Sequence, residues 1–180
     1  MAITMKRKGY GQVEPNHLSG IVTGQIYAQL PAAAAVTQLE NGQFMVYNYA
    51  AGEVSYTGDG EPMLVYNEEK LYDERQQSHK DFVYKVGDFS DGKLYPRLIK
   101  TNVGDIMTTN ALVGPNTSNT AEINTSLAIA KNDYLVVDTT NGFLKKSTAT
   151  GMPTSGMVWK VVKEYTMPDG QPGVKIQRIQ

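Results

Sequence analysis

Short stretches of alternating apolar and polar residues, separated by glycine-containing turns, are the main pattern along this chain. Residues 36–40 and 43–47 alternate in this way on either side of Asn41-Gly42. An Asn-Gly pair between two such stretches is a strong hairpin signal, because both residues tolerate a positive φ. The pattern predicts a hairpin here, with Gly42 in its turn.

Two further hairpins are predicted in the C-terminal half. Residues 134–138 and 143–146 flank Asn141-Gly142, and residues 157–165 and 173–179 flank Pro168-Asp169-Gly170. In the last stretch the odd and even positions must lie on opposite faces of a strand. Its even face (Val174, Ile176, Arg178) is more apolar than its odd face (Lys175, Gln177, Ile179), so we expect one face to be wetter.

A glycine or asparagine followed by aspartate recurs before apolar stretches, at Gly87-Asp88, Gly104-Asp105 and Asn132-Asp133. Glycine and asparagine supply a positive φ, and an aspartate side chain accepts hydrogen bonds from nearby backbone amides. Each pair is therefore predicted to be a tight turn that leads into a strand. An internal duplication would explain the recurrence, but repeated turn chemistry explains it more simply.

Three segments lack this strand pattern. Residues 67–77 begin with an acceptable N-cap and acidic residues, and they are read either as a short surface helix or as a long loop. Residues 114–126 are polar and predict an exposed loop. Residues 1–24 are rich in glycine and have little apolar periodicity, so they are predicted to form an extended, mobile arm.

The predicted fold is therefore mainly β, with at most one or two short helices. We expect an extended N-terminal arm (1–24), an N-terminal β-hairpin lobe (25–100) and a C-terminal lobe like a small β-barrel or β-tulip (101–180). The 180 residues are 41% hydrophobic, with a net charge of −1, which argues against disorder. No apolar stretch is long enough to cross a membrane as a helix.

Charge is unevenly distributed along the chain. Residues 53–92 hold ten acidic and four basic side chains, whereas residues 93–180 hold ten basic and six acidic ones. The two charged regions are interpreted either as solvated faces or as patches that orient the protein on an oppositely charged neighbour. The near-zero total gives no general attraction to nucleic acid, and no nucleic-acid partner is expected.

Little in the sequence predicts catalysis. The chain has no cysteine, so thiolate catalysis and thiolate metal sites are excluded. Its two histidines, His17 and His79, are not at a metal-ligand spacing, and neither a phosphate-binding glycine loop nor a Gly-x-Ser-x-Gly motif is present. We expect a protein that is not an enzyme and that has no cofactor or metal. Its eleven tyrosines suit either cross-strand packing or a protein interface.

One rhythm recurs in the C-terminal half: a Gly-Asp or Asn-Asp turn, an apolar strand, a glycine-rich turn and another apolar strand. It runs through Val103-Gly104-Asp105-Ile106-Met107, residues 129–137, residues 158–162 and Gly173-Val174-Lys175-Ile176. In this the chain resembles the small β-barrel or β-tulip decoration, cement or head-stabilisation proteins of tailed bacteriophages. Residues 25–31 and 64–68 extend the resemblance to most of residues 25–180.

The resemblance implies a structural virion protein that binds and stabilises the lattice of the phage major capsid protein. It would be made in the bacterial cytoplasm and lie on the outer capsid surface as a homo-oligomer, such as a trimer. Two other classes stay open: a tail-tube or other tail subunit, and a carbohydrate-binding fibre module whose exposed aromatic residues face sugar. No membrane partner is expected.

The candidate partner contacts lie in the predicted arm: Lys6, Arg7, Lys8 and Tyr10. We expect the arm to become ordered against an acidic surface of a neighbouring subunit. On this interpretation, deletion of residues 2–20 leaves the β fold intact and weakens capsid attachment or self-assembly.

Overall fold

A computed structural model describes residues 2–22, 26–27, 30–67, 83–112 and 123–180. Within these ranges the chain is mainly β, as the sequence predicts, with one short helix, α1 (Ser19–Val22), and a 3-10 turn at Val86–Asp88. The strands in chain order are β1 (Ile3–Arg7), β2 (Val13–His17), β3 (Ile26–Tyr27), β4 (Gln38–Glu40), β5 (Phe44–Asn48), β6 (Glu53–Ser55), β7 (Met63–Val65), β8 (Val83–Lys85), β9 (Leu98–Ile99), β10 (Ile106–Thr109), β11 (Ile123–Ile129), β12 (Tyr134–Val137), β13 (Leu144–Lys146), β14 (Val158–Thr166) and β15 (Pro172–Arg178).

Two antiparallel sheets form the body of the molecule. The larger has six strands in the order β13-β12-β14-β15-β10-β2, and the other has five in the order β3-β9-β7-β5-β6. All strands of the five-stranded sheet come from residues 26–55, 63–65 and 98–99, whereas the six-stranded sheet combines the C-terminal half with β2. Two strand pairs, β1-β11 and β4-β8, complete the described structure.

The sheets share a core. One buried cluster joins Phe44 and Leu64 of the five-stranded sheet to Trp159 and Ile176 of the six-stranded sheet. The rings of Phe44 and Trp159 lie 6.0 Å apart at a tilt of 56°. A second cluster, which includes the fully buried Leu39, lies within the N-terminal half. The two halves therefore pack directly on each other through large apolar side chains.

The prediction of a mobile N-terminal arm is wrong. Strand β1 pairs with β11, and β2 pairs with β10 as one edge of the six-stranded sheet. Met5 is fully buried and Val13 is 5% exposed, so both belong to the main core. The segment shows no long apolar run because each of its strands is short and buries only a few side chains.

Two of the three predicted hairpins are present. Strands β12 and β13 pair around Asn141-Gly142, and β14 and β15 pair around Gly170. Gly142 has a φ of +77° and Gly170 a φ of +85°, as such turns require. From Val174 to Arg178 the even positions of β15 are buried and the odd positions are partly exposed, in agreement with the sequence pattern.

The hairpin predicted at Asn41-Gly42 is not formed. The turn exists, with Gly42 at a φ of +92°, but the two strands diverge: β4 pairs with β8, and β5 pairs with β6 and β7. The amide of Gly42 donates to the carbonyl of Val65, and the side chain of Asn41 exchanges two hydrogen bonds with the backbone of Asn67. The turn is thus bonded to the end of β7 instead of closing a hairpin.

The three recurring Asp turns share one hydrogen bond, but only two of them lead into a strand. The carboxylates of Asp88, Asp105 and Asp133 each accept a hydrogen bond from the amide three residues earlier. Gly104 and Asn132 have positive φ, and strands β10 and β12 begin two residues later. The prediction is wrong for Gly87-Asp88: Gly87 lies in the 3-10 turn without a positive φ, and the next strand, β9, begins only at Leu98. Of the predicted loop at 114–126, residues 123–126 instead belong to β11, where Ile123 and Asn124 pair with Arg7 and Lys6 of β1. The alternatives for residues 67–77 fall almost entirely outside the described ranges.

Candidate functional site

The four predicted contact residues do not form one surface. Lys6 and Lys8 are exposed, and they stay candidates for contact with a partner. Arg7 is fully buried and Tyr10 is 6% exposed, so the prediction that these two contact a partner is wrong in this fold. The ammonium group of Lys85 lies 5.2 Å from the centre of the Tyr10 ring and helps to cover it.

Arg7 has a structural role instead. Its Nη1 lies 2.8 Å from Oε2 of Glu40, and its guanidinium stacks 5.1 Å from the centre of the Phe143 ring. Glu40 also accepts hydrogen bonds from the amide of Gly11 and from Nε2 of Gln38. A buried charge pair is tolerated only when hydrogen bonds satisfy it in this way. The basic triplet in the sequence is thus divided between one internal charge and two surface charges.

The strongest candidate binding surface is the outer face of the six-stranded sheet. The inner face carries the buried core, including Trp159, Val161 and Ile176. On the outer face lie three lysines and two tyrosines, which we call the lysine face: Lys160, Lys163, Lys175, Tyr134 and Tyr165.

Strand register places these residues beside one another. Tyr134 of β12 lies directly opposite Lys160 of β14, and Lys163 of β14 lies opposite Lys175 of β15. Directly opposed residues of an antiparallel pair have Cβ atoms about 4.5–5.5 Å apart. Lys163 also reaches along its own strand, with its ammonium 5.8 Å from the centre of the Tyr165 ring.

The Lys163–Lys175 pair is unfavourable on its own, since like charges directly opposite on a sheet destabilise the pairing. In the part of the chain that the structure describes, no carboxylate forms an ion pair with any of the three lysines of this face. Three lysines elsewhere are paired: Lys100 with Glu61, Lys145 with Asp138 and Lys146 with Asp133.

A β-bulge shapes the same face. The register between β14 and β15 shifts between Val161 and Lys163, which leaves Val162 as an extra residue that is 37% exposed. Bulges commonly re-aim side chains. In this sheet the bulge returns Lys163 to the outer face, so that it faces Lys175.

Sequence reasoning identified the excess of basic residues after position 93 but not this surface. Lys160, Lys163 and Lys175 are spread over two strands, and β12 adds Tyr134 from earlier in the chain. An alternating strand pattern shows which residues share a face of one strand, and it does not show which strands are neighbours. One signal in the sequence could have indicated it: the last predicted hairpin pairs two strands that both carry lysines.

The predicted absence of a metal site can be compared with the described residues only. They contain no group of three or more His, Asp or Glu side chains able to hold a metal ion. His17 is exposed on β2 at the sheet edge, while His79 lies outside the described ranges. In those ranges no helix has the length and apolar character needed for a membrane crossing.

Comparison of the chain with protein-family models, with curated proteins and with solved structures finds no match.

Proposed function

We propose that this chain is a non-enzymatic structural protein that binds and stabilises the capsid lattice of a tailed bacteriophage through its lysine face. The observation that carries the proposal is the opposed, unpaired Lys163 and Lys175 on an open sheet. The turn-and-strand rhythm of the C-terminal half, typical of capsid decoration proteins, supports the phage context. The partner is the major capsid protein, and the site of action is the outer surface of the virion.

An acidic partner would relieve the repulsion within the lysine face. Charges in an interface mainly speed association and select the partner, and they do so less as salt rises. The tyrosines add apolar contact area, because each presents a large ring and a hydroxyl that tolerates water. A repeated acidic surface such as a capsid lattice would take up many copies, and we propose that they act there as a homo-oligomer, in the form of a trimer.

The proposal is tested with purified capsids that lack this protein. Lys163→Glu is compared with Lys93→Glu, which makes the same charge change at an exposed lysine in the loop before β9. We expect Lys163→Glu to weaken capsid binding about tenfold, or about 1.4 kcal/mol, and Lys93→Glu to leave it near the wild-type value.

Salt provides an independent readout. Wild-type binding should weaken as ionic strength rises, and the dependence should be smaller for Lys163→Glu because one interfacial charge has been reversed. Equal affinities for the two variants, or absence of capsid binding by the wild type, would overturn the proposal.

A further inference from the structure

Tyr49 presents an aromatic ring to solvent on the five-stranded half of the molecule. It follows the end of β5 and lies two positions after Tyr47, so both rings project from the same side. The ring centres are 5.3 Å apart with 22° between their planes. Tyr47 is 9% exposed and Tyr49 is 80% exposed. The buried ring thus supports the exposed one, which offers its outer face to a ligand.

A recess of about 120 Å³ lies beside this pair. Its walls come from β5, from β7 and from residues next to β5, β7 and β9: Tyr47, Tyr49, Gly60, Glu61, Met63 and Lys100. At about 30 Å³ per water molecule, the recess holds a few waters or the polar edge of one sugar ring. It is a shallow subsite, open on the side of Tyr49.

The polar groups in the recess are oppositely charged. Oε2 of Glu61 lies 3.7 Å from Nζ of Lys100, and both side chains are about two-fifths exposed. Oε1 of Glu61 accepts a hydrogen bond from Arg178, which is itself held by Thr101. The carboxylate is therefore fixed in position, with an ammonium donor next to it.

This combination selects a particular ligand chemistry. A cation would meet Lys100 and Arg178, and an anion would meet the carboxylate of Glu61, so a neutral ligand avoids both repulsions. An uncharged ring with neighbouring hydroxyls can donate to the carboxylate and accept from the ammonium at once. The C–H groups of the same ring can pack on the face of an aromatic side chain, which is electron-rich. Pyranose sugars combine these two features.

We infer that Tyr49, Glu61 and Lys100 form a subsite for one neutral sugar ring. The ring stacks on Tyr49, one hydroxyl donates to Glu61 and its neighbour accepts from Lys100. This site shares no residue with the lysine face, so it extends the proposed function without depending on it. A protein attached to a capsid by one surface would thereby carry a glycan-binding surface elsewhere.

The test uses the full-length protein and ligand-observed saturation-transfer NMR. The probes are neutral trisaccharides of glucose, of galactose and of N-acetylglucosamine, offered at up to about 20 mM because single-ring sites bind weakly. We expect saturable binding of at least one of them. Tyr49→Ala should weaken it at least about tenfold, whereas Tyr49→Phe, which keeps the ring face, should retain it.

Tyr95→Ala is the matched control, because Tyr95 is another exposed tyrosine, with its hydroxyl bonded to Asp91. It should bind the same sugar as the wild type does. Failure of every probe to bind, or binding that persists in Tyr49→Ala, would overturn the inference. Neither result bears on capsid binding, which is measured with different variants.

Discussion

Arg7 and Glu40 form an ion pair of 2.8 Å in which neither side chain has any exposed surface. The pair connects β1 to β4 across 33 positions of sequence. Because Glu40 also holds the amide of Gly11, the same carboxylate fixes the connection between β1 and β2. The ion pair thus attaches the N-terminal segment to β4, while sheet pairing attaches it to β10 and β11 of the C-terminal half.

Removal of one member of this pair should be costly. Arg7→Met leaves Glu40 as a buried charge without its guanidinium, and loss of one partner typically costs about 3–5 kcal/mol. The double variant Arg7→Met/Glu40→Gln should be more stable than Arg7→Met, because a neutral amide oxygen still accepts from Gly11. Urea unfolding measures both free energies. A loss below about 1 kcal/mol for Arg7→Met would contradict the assigned role.

Deletion of residues 2–17 should abolish cooperative folding, contrary to the expectation from the sequence. The deletion removes β1 and β2, together with Met5 and Val13 from the core. It also exposes the paired edges of β10 and β11. Thermal unfolding followed by circular dichroism should show no sharp transition. Lys8→Ser, a change at an exposed position in the same segment, should unfold like the wild type. A folded deletion variant would show that the segment is dispensable.

Two glycines with the same backbone angle should respond differently to alanine. Gly142 and Gly156 both have a φ of +77°. A Cβ at Gly142 would lie 2.6 Å from the carbonyl oxygen of Phe44 and 2.7 Å from the ring of Tyr56, whereas a Cβ at Gly156 meets open space.

Gly156→Ala therefore reports backbone strain alone, about 1–2 kcal/mol. Gly142→Ala adds steric overlap with backbone and ring, and its total loss should exceed that of Gly156→Ala by about 1–3 kcal/mol. Chemical denaturation of both variants checks the difference, and equal losses would mean that the turn can move away from Phe44.

Ionisation of Tyr56 should lower the stability of the fold in an alkaline pH window. Burial raises its pKa to about 12 from an ordinary 10.0, with a hydrogen bond from Gln43 opposing the rise and the charge of Glu40 adding to it. The folded state therefore favours the neutral phenol. Its contribution is complete below pH 10, the unfolded value, and is lost as the pH rises toward 12.

The measurement compares the unfolding free energies of the wild type and Tyr56→Phe at about pH 9 and about pH 11. The difference between the two proteins isolates the contribution of Tyr56 ionisation. The wild type should lose more stability over that interval than Tyr56→Phe, which has no ionisable group there. Tyr49→Phe, at an exposed tyrosine, should behave like the wild type. Parallel losses in the wild type and Tyr56→Phe would show that Tyr56 ionises equally in both states.

The sequence by itself determined the local features of this protein: the strand class, the turns at Asp105 and Asp133, and two C-terminal hairpins. Gly142 and Gly170 lie where their turns need a positive φ, and the alternation in β15 separates buried Val174 and Ile176 from Lys175 and Gln177. These features depend on residues within a few positions of one another, so a short stretch of sequence is enough to predict them.

The tertiary structure alone decided which strands became neighbours. Asn41-Gly42 makes its turn, yet β4 and β5 do not pair: β4 pairs with β8, which lies far along the chain, and β5 pairs with β6 and β7. The segment predicted to be an arm contains β1 and β2, which pair with β11 and β10 far along the chain. Arg7 of this segment is buried in its ion pair with Glu40. The opposition of Lys163 to Lys175 likewise depends on a bulge in the register. Long-range pairing is chosen by burial and by hydrogen bonding of the whole sheet, and no local pattern contains that information.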